Sequence, residues 1–459
     1  MGPAAGGEAS CVAEAGGQCA GASAGADEHF APHRAVDLLR SGATRHVAPW
    51  NLSAPAWTLE RPFNVMHQTP VLDKEGNIYG GSDDGIIWSV DKHGSWRWKV
   101  RVGSGNAQCP SLMGDTVYTA SRDGLATALD TATGTVRWQV QFSFGQPSDT
   151  YAVTAVDDLL LVPANTMPGQ MFGCPDVKAL NRTDGSEVWA YNLAKRSNGV
   201  SVNFLPVVAN GSVVFSDIYG GIYSLALADG QEQWYVPGLD ASSYTLGGVA
   251  LGPNGVLYCG ASVSSVAEKP GARGVVRAHA AQTGAVLWQQ FFFMEIHAAP
   301  AVGRLRPGGP LSLVIGVGSP AGYPSTPGQA VKALLGLRPQ PFTLGLVFAM
   351  DAEDGSVLWY FAPRPWRRQE SAGSTWQRIC LPDLWSLPVI DGEGTVYINW
   401  SAGGITFGLR DANGDGVADI NDPAEVVSYD SGSASTGPPV VGPGSLTVTA
   451  CGRVYSFLS

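Results

Sequence analysis

The composition of this 459-residue chain favours β-structure and argues against a helical bundle or a disordered protein. Its 59 Gly and 31 Pro make up roughly a fifth of the residues, against about 12% in an average protein, and charged residues are only 15%. A hydrophobic content of 44%, with 14 Trp, is enough for a large core. The formal net charge of −11 opposes attraction to nucleic acid or to an anionic membrane surface, so neither is expected as a partner.

Residues 1–53 are predicted to form a flexible Gly- and Ala-rich leader, with a short helix near His33–Arg40. This segment lacks the basic start and the apolar stretch of a secretory signal. No run of about 18 apolar residues elsewhere predicts a membrane span. The cellular location is left open, with a secreted or lumenal protein whose N-terminus is incomplete among the alternatives.

The seven Cys show no C-x-x-C spacing, so the sequence supports neither a zinc ribbon nor a thioredoxin-type redox pair. We expect isolated buried thiols, and one or two disulfides stay open as an alternative. The residues are Cys11, Cys19, Cys109, Cys174, Cys259, Cys380 and Cys451.

A self-similar unit runs through residues 54–459. It comprises a Pro near the start of an apolar run, a Gly-x-(Val/Ile)-Tyr segment, a Gly turn, an alternating segment, a second Gly turn and a final Trp. The first copies span Thr69–Trp98 and Cys109–Trp138. Because Asp-Gly and Gly-Gly turns supply the positive φ that tight hairpins need, each copy predicts four short antiparallel strands, which is one propeller blade. Later copies end at Trp189, Trp234, Trp288 and Trp359.

The last two copies are irregular and determine the blade count. A seventh copy begins at Leu387 and ends near Val426–Tyr429 without its Trp, and an eighth begins at Pro438 and lacks a fourth strand. Ala54–Glu60, which contains Trp57, resembles the missing strand. We therefore predict an all-β fold with a single eight-bladed propeller of four-stranded blades, its ring closed by this N-terminal strand.

The blade endings resemble the signature of the pyrroloquinoline-quinone (PQQ) repeat family. The copies are "LDTATGTVRW" (Leu129–Trp138), "HAAQTGAVLW" (His279–Trp288) and "AMDAEDGSVLW" (Ala349–Trp359). That family includes eight-bladed quinoprotein alcohol dehydrogenases and non-catalytic relatives such as the outer-membrane assembly lipoprotein. The resemblance covers residues 54–459 and implies that the Trp residues pack between blades.

The resemblance also implies where this chain departs from the family's enzymes. Those enzymes carry two adjacent Cys that form a vicinal disulfide against the cofactor, with an Asp base and a calcium set near the channel mouth. This sequence has no Cys-Cys pair, and no matching Asp or metal set aligns residue by residue. No catalytic residue is therefore assigned.

The most specific local motif has the spacing of an oxygen-ligand calcium loop. Oxygen-bearing side chains stand at positions 1, 3, 5, 9 and 12 of the loop, Gly416 provides the sharp turn at position 6, and a backbone carbonyl supplies position 7. The loop falls where the hairpin between the third and fourth strands of blade 7 is expected. The simpler alternative is a polar hairpin without metal. The predicted calcium ligands are Asp411, Asn413, Asp415, Val417, Asp419 and Asp422.

A second candidate set consists of polar and aromatic residues that precede or flank the innermost strands and are expected to face the central channel. His297 with Glu295 has the composition of an acid–base pair. The simpler explanation is a polar lining of a water-filled pore. The channel candidates are Gln68, Gln108, Cys109, Asn203, His297 and Trp385.

These features support three functional hypotheses. The favoured one is a non-catalytic, monomeric scaffold that binds a protein partner through loops on one face. The alternatives are a quinoprotein-like oxidoreductase with PQQ in its central funnel and a calcium-dependent extracellular adhesion propeller. The loops expected to bind are insertions near Pro163–Pro175, Ser262–Arg273, Gly318–Phe342 and Pro363–Pro382.

Overall fold

The structure is a computed structural model in which β-strands account for nearly all regular elements. It describes residues 29–60, 68–105, 107–145, 152–166, 173–196, 200, 204–239, 243, 245, 248–263, 266–318, 345–364, 385–401, 403–435 and 437–459. A single 3₁₀ turn, Leu193–Lys195, is the helical element within these ranges. No helix of the described residues is long and apolar enough to cross a membrane.

The strands in chain order are β1 (Trp57–Glu60), β2 (Val71–Leu72), β3 (Ile78–Gly81), β4 (Ile86–Val90), β5 (Trp96–Arg101), β6 (Ser111–Met113), β7 (Thr116–Ala120), β8 (Leu125–Asp130), β9 (Val136–Gln141), β10 (Thr154–Val156), β11 (Leu159–Ala164), β12 (Asp176–Asn181), β13 (Glu187–Asn192), β14 (Val207–Ala209), β15 (Ser212–Ser216), β16 (Ile222–Ala226), β17 (Glu232–Val236), β18 (Val249–Leu251), β19 (Val256–Ser262), β20 (Gly274–Ala280), β21 (Val286–Phe292), β22 (Ala301–Arg304), β23 (Leu311–Gly318), β24 (Gly345–Asp351), β25 (Val357–Phe361), β26 (Val389–Ile390), β27 (Val396–Trp400), β28 (Ile405–Leu409), β29 (Val417–Ala418), β30 (Val426–Asp430), β31 (Val440–Gly442), β32 (Ser445–Ala450) and β33 (Arg453–Leu458).

These strands form eight sheets arranged as the blades of one propeller. Blades 1 to 5 are β2–β5, β6–β9, β10–β13, β14–β17 and β18–β21, blade 6 is β22–β25, blade 7 is β26–β28 with β30, and blade 8 is β31–β33 with β1. The predicted eight-bladed, all-β fold is confirmed.

The ring closes as the sequence predicts. β1 pairs antiparallel with β33 in the register Trp57↔Ser456 to Glu60↔Arg453, so the eighth blade takes its outer strand from the start of the propeller. Pairing the first strand with the last leaves neither of them as an open edge within this blade.

Each terminal Trp packs on the next blade. The Trp98 indole N–H donates to the carbonyl of Thr131 at 2.9 Å, and its ring lies over Gly134, where a Cβ atom would come within 2.7 Å of the indole. Gly134 also has a φ of 71°, which a side chain disfavours. The repeat therefore needs both its Trp and the Gly of the following turn. The same packing joins Trp57 to Gly94, Trp138 to Gly185, Trp189 to Gly230, Trp234 to Gly284 and Trp288 to Gly355.

Blade 6 differs because the following blade carries the predicted calcium loop in place of a short turn. β29, within that loop, pairs in parallel with β25 through Tyr360↔Val417 and Phe361↔Ala418, which makes blade 6 five-stranded. Trp359 packs in the same apolar cluster as Ala418. The long loop thus makes the inter-blade contact that a Gly turn makes elsewhere.

The strand order also sets the two faces of the ring. In an antiparallel meander, the connections from second to third strand and from fourth strand to next blade emerge on one side, which we call the insertion face. The connections from first to second and from third to fourth strand emerge on the other side, the turn face.

Part of the predicted leader is ordered. Residues 31–47, which we call the belt, run around the propeller axis, and their carbonyl oxygens accept hydrogen bonds from backbone N–H groups of the innermost strands. The short helix expected near His33–Arg40 is wrong. Turns stand in its place, with φ of 60°, 77° and 54° at Ala35, Val36 and Arg40. Pairing with strand edges that otherwise face the axis unpaired explains why this segment is not helical.

Candidate functional site

The belt contacts all eight blades in turn. Its backbone bonds to Leu72 of blade 1 and Leu112 of blade 2, and the last bond is from Gly444 of blade 8 to the carbonyl of Val47. The side chain of Arg40 reaches Thr154 of blade 3. The remaining backbone contacts are with Val208 of blade 4, Leu251 of blade 5, Val302 of blade 6 and Ile390 of blade 7.

Arg40 fixes the belt at the axis. The side chain is 2% exposed, its Nε donates to the carbonyl of Pro206 at 2.9 Å, and one Nη donates to the carbonyl of Arg34 at 2.8 Å. The other Nη donates to the hydroxyl of Thr154. Burial lowers the pKa of Arg40 to about 10, so the guanidinium stays charged at neutral pH. The sequence gave no signal for this residue because its partners are backbone carbonyls of distant blades.

An apolar cluster, which we call the hub, lies on the insertion-face side of the belt. Its buried members come from blades 2, 3, 4, 6 and 7 and stand just before the innermost strands. Blades 2 and 6, like blades 3 and 7, lie opposite each other in an eight-membered ring, so a cluster that unites them crosses the axis. The hub consists of Cys109, Ala152, Leu205, Ala298, Ala299 and Leu387.

Gln68 and Cys109 meet beside this hub. The Cys109 thiol donates to Gln68 Oε1 at 3.1 Å and accepts from the backbone N–H of Thr69 at 3.2 Å. Gln108 is 2% exposed, and its backbone carbonyl accepts from the Thr119 hydroxyl at 3.1 Å. The structure therefore brings together three of the channel candidates, in contact with the protein itself.

Trp385 lies elsewhere. It is 3% exposed between blades 6 and 7, and its ring centroid is 5.1 Å from that of Trp400. Its indole N–H donates to the carbonyl of Val317 at 3.3 Å, and a Cβ atom at Gly316 would lie 2.5 Å from it. These contacts are those of a packing residue. Asn203 lies outside the described residues.

His297 is held neutral. Burial lowers its pKa to about 4, and the negative charge of Glu295 offsets only part of that effect. Glu295 forms an ion pair with Arg273. At neutral pH the imidazole therefore carries no charge, and the carboxylate has a cationic partner other than His297.

The predicted calcium loop lies on the turn face between β28 and β30, as expected. Asp411 accepts from the N–H of Gly414 at 2.9 Å, and Asp415 accepts from the N–H of Val417 at 2.9 Å. Within the described ranges, no group of three or more His, Cys, Asp or Glu side chains is arranged to hold a metal ion. Calcium binding by Asp411, Asn413, Asp415, Val417, Asp419 and Asp422 stays a prediction.

Glu425, which the sequence analysis missed, anchors this loop from below. It is fully buried, and its two carboxylate oxygens accept from the backbone N–H groups of Asn413 at 3.1 Å and Asp419 at 2.9 Å. The loop thus has a carboxylate that organises its backbone independently of the residues with calcium spacing.

The cysteines of the described ranges are of two kinds. Cys109, Cys174 and Cys259 are free and buried, as expected of isolated thiols. Cys451 is disulfide-bonded, and its partner lies outside the described residues.

The four insertions share one face. Pro163–Pro175 follows β11, Ser262–Arg273 follows β19 and Gly318–Phe342 follows β23, so each joins a second strand to a third. Pro363–Pro382 follows β25 and leads to the next blade. All four connections therefore belong to the insertion face, although much of their length lies outside the described residues.

PQQ, which the fold family implies, does not fit the described part of the axis. The cofactor is a planar tricarboxylate and needs both an open slot and cationic or donor groups. The hub fills the axis with apolar side chains, and each guanidinium nitrogen of Arg40 already donates to a protein oxygen. We therefore derive no chemistry from PQQ.

Comparison with curated proteins gives two partial matches. The chain is 28% identical to tetrathionate hydrolase of Acidithiobacillus ferrooxidans over 247 residues, 47% of this chain and 46% of that protein. It is 28% identical to outer membrane protein assembly factor BamB of Yersinia pestis over 218 residues, 46% of this chain and 51% of that protein. The chain spans about half the length of the curated relatives it matches.

Solved structures share the fold at low identity. BamB from Moraxella catarrhalis gives a TM-score of 0.57 at 14% identity, covering 88% of this chain and 99% of that one. Quinohemoprotein alcohol dehydrogenase from Comamonas testosteroni gives 0.61 at 14%, covering 95% and 81%. A europium-containing methanol dehydrogenase gives 0.60 at 12%, covering 94% and 98%. These similarities show the propeller fold alone.

The family model described as outer membrane protein assembly factor BamB matches residues 50–290, more than half of the chain. This protein, a PQQ-type β-propeller, therefore belongs to the family of outer membrane protein assembly factor BamB.

Proposed function

We propose that this protein is a non-catalytic scaffold that binds a protein partner on its insertion face. The observation that carries the proposal is the division of labour around the axis. The hub and the belt fill the central channel with the chain's own residues, whereas the four insertions extend from a single face. A rigid ring that presents variable loops is suited to surface recognition.

Family membership supports the same proposal. One curated relative and one solved neighbour are named as outer membrane protein assembly factor BamB. The partner of this chain would accordingly be another protein, and the propeller would act as a monomer within the complex. We take residues 54–459 as the propeller and the belt as an integral part of its base.

Site-specific photo-cross-linking in the native host tests this function. A photoreactive residue at Lys269, exposed in the insertion that follows β19, is expected to cross-link to a discrete protein. The matched control is Asp354, equally exposed in a turn-face hairpin of blade 6, where no such product is expected. Equal cross-linking at the two positions, or none at Lys269 and at further insertion-face sites, would contradict the proposal.

A catalytic propeller is the second candidate. It is favoured by the similarity to tetrathionate hydrolase over 47% of the chain and by the fold shared with quinohemoprotein alcohol dehydrogenase. This candidate predicts turnover of tetrathionate or a dye-linked oxidation of alcohols by the purified chain. Absence of both activities, with PQQ and calcium supplied, would rule it out.

A further inference from the structure

A small cavity lies in the cleft between blades 4 and 5, away from the axis. Gly220, in the second-to-third strand connection of blade 4, and Leu239, after its fourth strand, help to line it, so the cavity is at the insertion face. Ile222 and Val275 give it apolar walls, and the one charged side chain in the lining is Arg277. Its volume is about 10 Å³, which is room for one water-sized group.

Arg277 is buried without a counter-charge. It is 8% exposed, and its Nε has no hydrogen-bond partner. In the part of the chain that the structure describes, no carboxylate pairs with its guanidinium. Gln289, the residue opposite Arg277 on β21, donates to the carboxylate of Glu268 instead, at 3.0 Å.

The groups nearest to Arg277 along the strands are also unable to neutralise it. Cys259 faces Arg277 in register on β19, and burial raises the pKa of its thiol to about 11. Burial lowers the pKa of His279, two residues along β20, to about 4, and the charge of Arg277 lowers it further. At neutral pH both groups are uncharged, so the guanidinium is the sole charge among these three.

Blade 3 shows what the same position looks like when the cation is paired. Lys178 stands at the same distance before Trp189 as Arg277 before Trp288 and is likewise opposite the residue after that Trp. Its ammonium lies 2.8 Å from the carboxylate of Glu187 and donates to the carbonyl of Phe142 at 3.1 Å. An uncompensated buried charge is strongly destabilising, whereas a compensated one is not.

We propose that this cavity binds the carboxylate group of a small aliphatic acid or of an acidic side chain, with Arg277 as its counter-charge. The guanidinium presents a planar pair of donors that matches a carboxylate, and the apolar walls suit the attached carbon chain. The site is separate from the hub and from the predicted calcium loop.

Thermal unfolding of the full chain tests the site, with acetate as the probe and gluconate, which is too bulky to enter, holding the ionic strength constant. A ligand that binds only the folded state raises the melting temperature as its concentration rises. We expect acetate to stabilise the wild type and Arg277→Met to weaken that response at least tenfold in acetate concentration. In gluconate alone, Arg277→Met should melt at or above the wild-type temperature, because it removes an unpaired charge.

Lys178→Met is the matched control. It breaks an ion pair that already exists, so it should lower the melting temperature in both salts and keep the acetate response. An acetate response that survives in Arg277→Met would overturn the proposal, as would a destabilisation by Arg277→Met in gluconate equal to that of Lys178→Met.

Two further measurements keep the proposal testable if Arg277→Met does not fold. A wild-type crystal grown with bromide should show an anomalous peak at Arg277, and its absence would count against the site. A blocked peptide with a single Glu distinguishes the two carboxylate sources. Tighter binding of the peptide than of acetate identifies an acidic side chain as the ligand, and the reverse order identifies a free acid.

Discussion

The inter-blade Trp contact makes a quantitative prediction at Trp189. This side chain is 7% exposed, its indole N–H donates to the carbonyl of Leu227 at 2.8 Å, and its ring covers Gly230. Truncating a buried Trp to Ala costs about 3 to 5 kcal/mol, of which the net hydrogen bond contributes about 1 kcal/mol. We therefore expect Trp189→Ala to lower the free energy of unfolding by about 4 kcal/mol.

Guanidinium denaturation gives the total loss, and hydrogen exchange locates it. Because neighbouring blades interact mainly with each other, exchange should accelerate most in β12–β13 and β16–β17. Trp189→Phe keeps an aromatic ring without the N–H and should lose less. Val188→Ala, at the adjacent but 48% exposed position, should cost below about 1 kcal/mol. Equal losses for Trp189→Ala and Val188→Ala would refute this account of the repeat.

Three other predictions concern buried charge and the calcium loop. The pKa of His279 falls from 6.5 to about 4 on folding, so the unfolded chain binds the extra proton and stability should drop by about 3 kcal/mol as pH falls across that interval. His279→Leu, which installs the residue found at Leu129 and Leu180, should flatten this part of the pH–stability curve. Arg40→Met should cost about 3 kcal/mol by leaving belt carbonyls unpaired, and it should speed exchange of the innermost-strand amides. Calcium should raise the melting temperature of the wild type but not of Asp415→Ala, and a calcium response retained by that variant would contradict the loop assignment.

The repeat made the fold predictable because its signals are local. A Trp at the end of each copy and a Gly in the next turn are visible in the sequence, and the contact of Trp98 with Gly134 is what the spacing encodes. The closing strand was predictable for the same reason, since Trp57 marks a blade ending that lacks a preceding blade. The calcium loop was placed correctly between β28 and β30 by counting strands.

Features that depend on distant partners were not predictable. The belt has no apolar period, because its carbonyls rather than its side chains bond the innermost strands, so a leader was the natural expectation. Trp385 was expected at the channel from its position before β26, yet Gly316 leaves room for it between blades. Arg277 gave no signal, since the lack of a counter-charge becomes visible only when the neighbouring strands and blade 4 are in place.

The central claim is that the axis is filled by the chain itself and that the protein works by surface recognition. The most direct test is an equilibrium titration of the purified full chain with PQQ in the presence of calcium, followed by the quenching of its 14 Trp. The account predicts no saturable change at micromolar PQQ. Saturable one-to-one binding, accompanied by dye-linked oxidation of an alcohol, would contradict it.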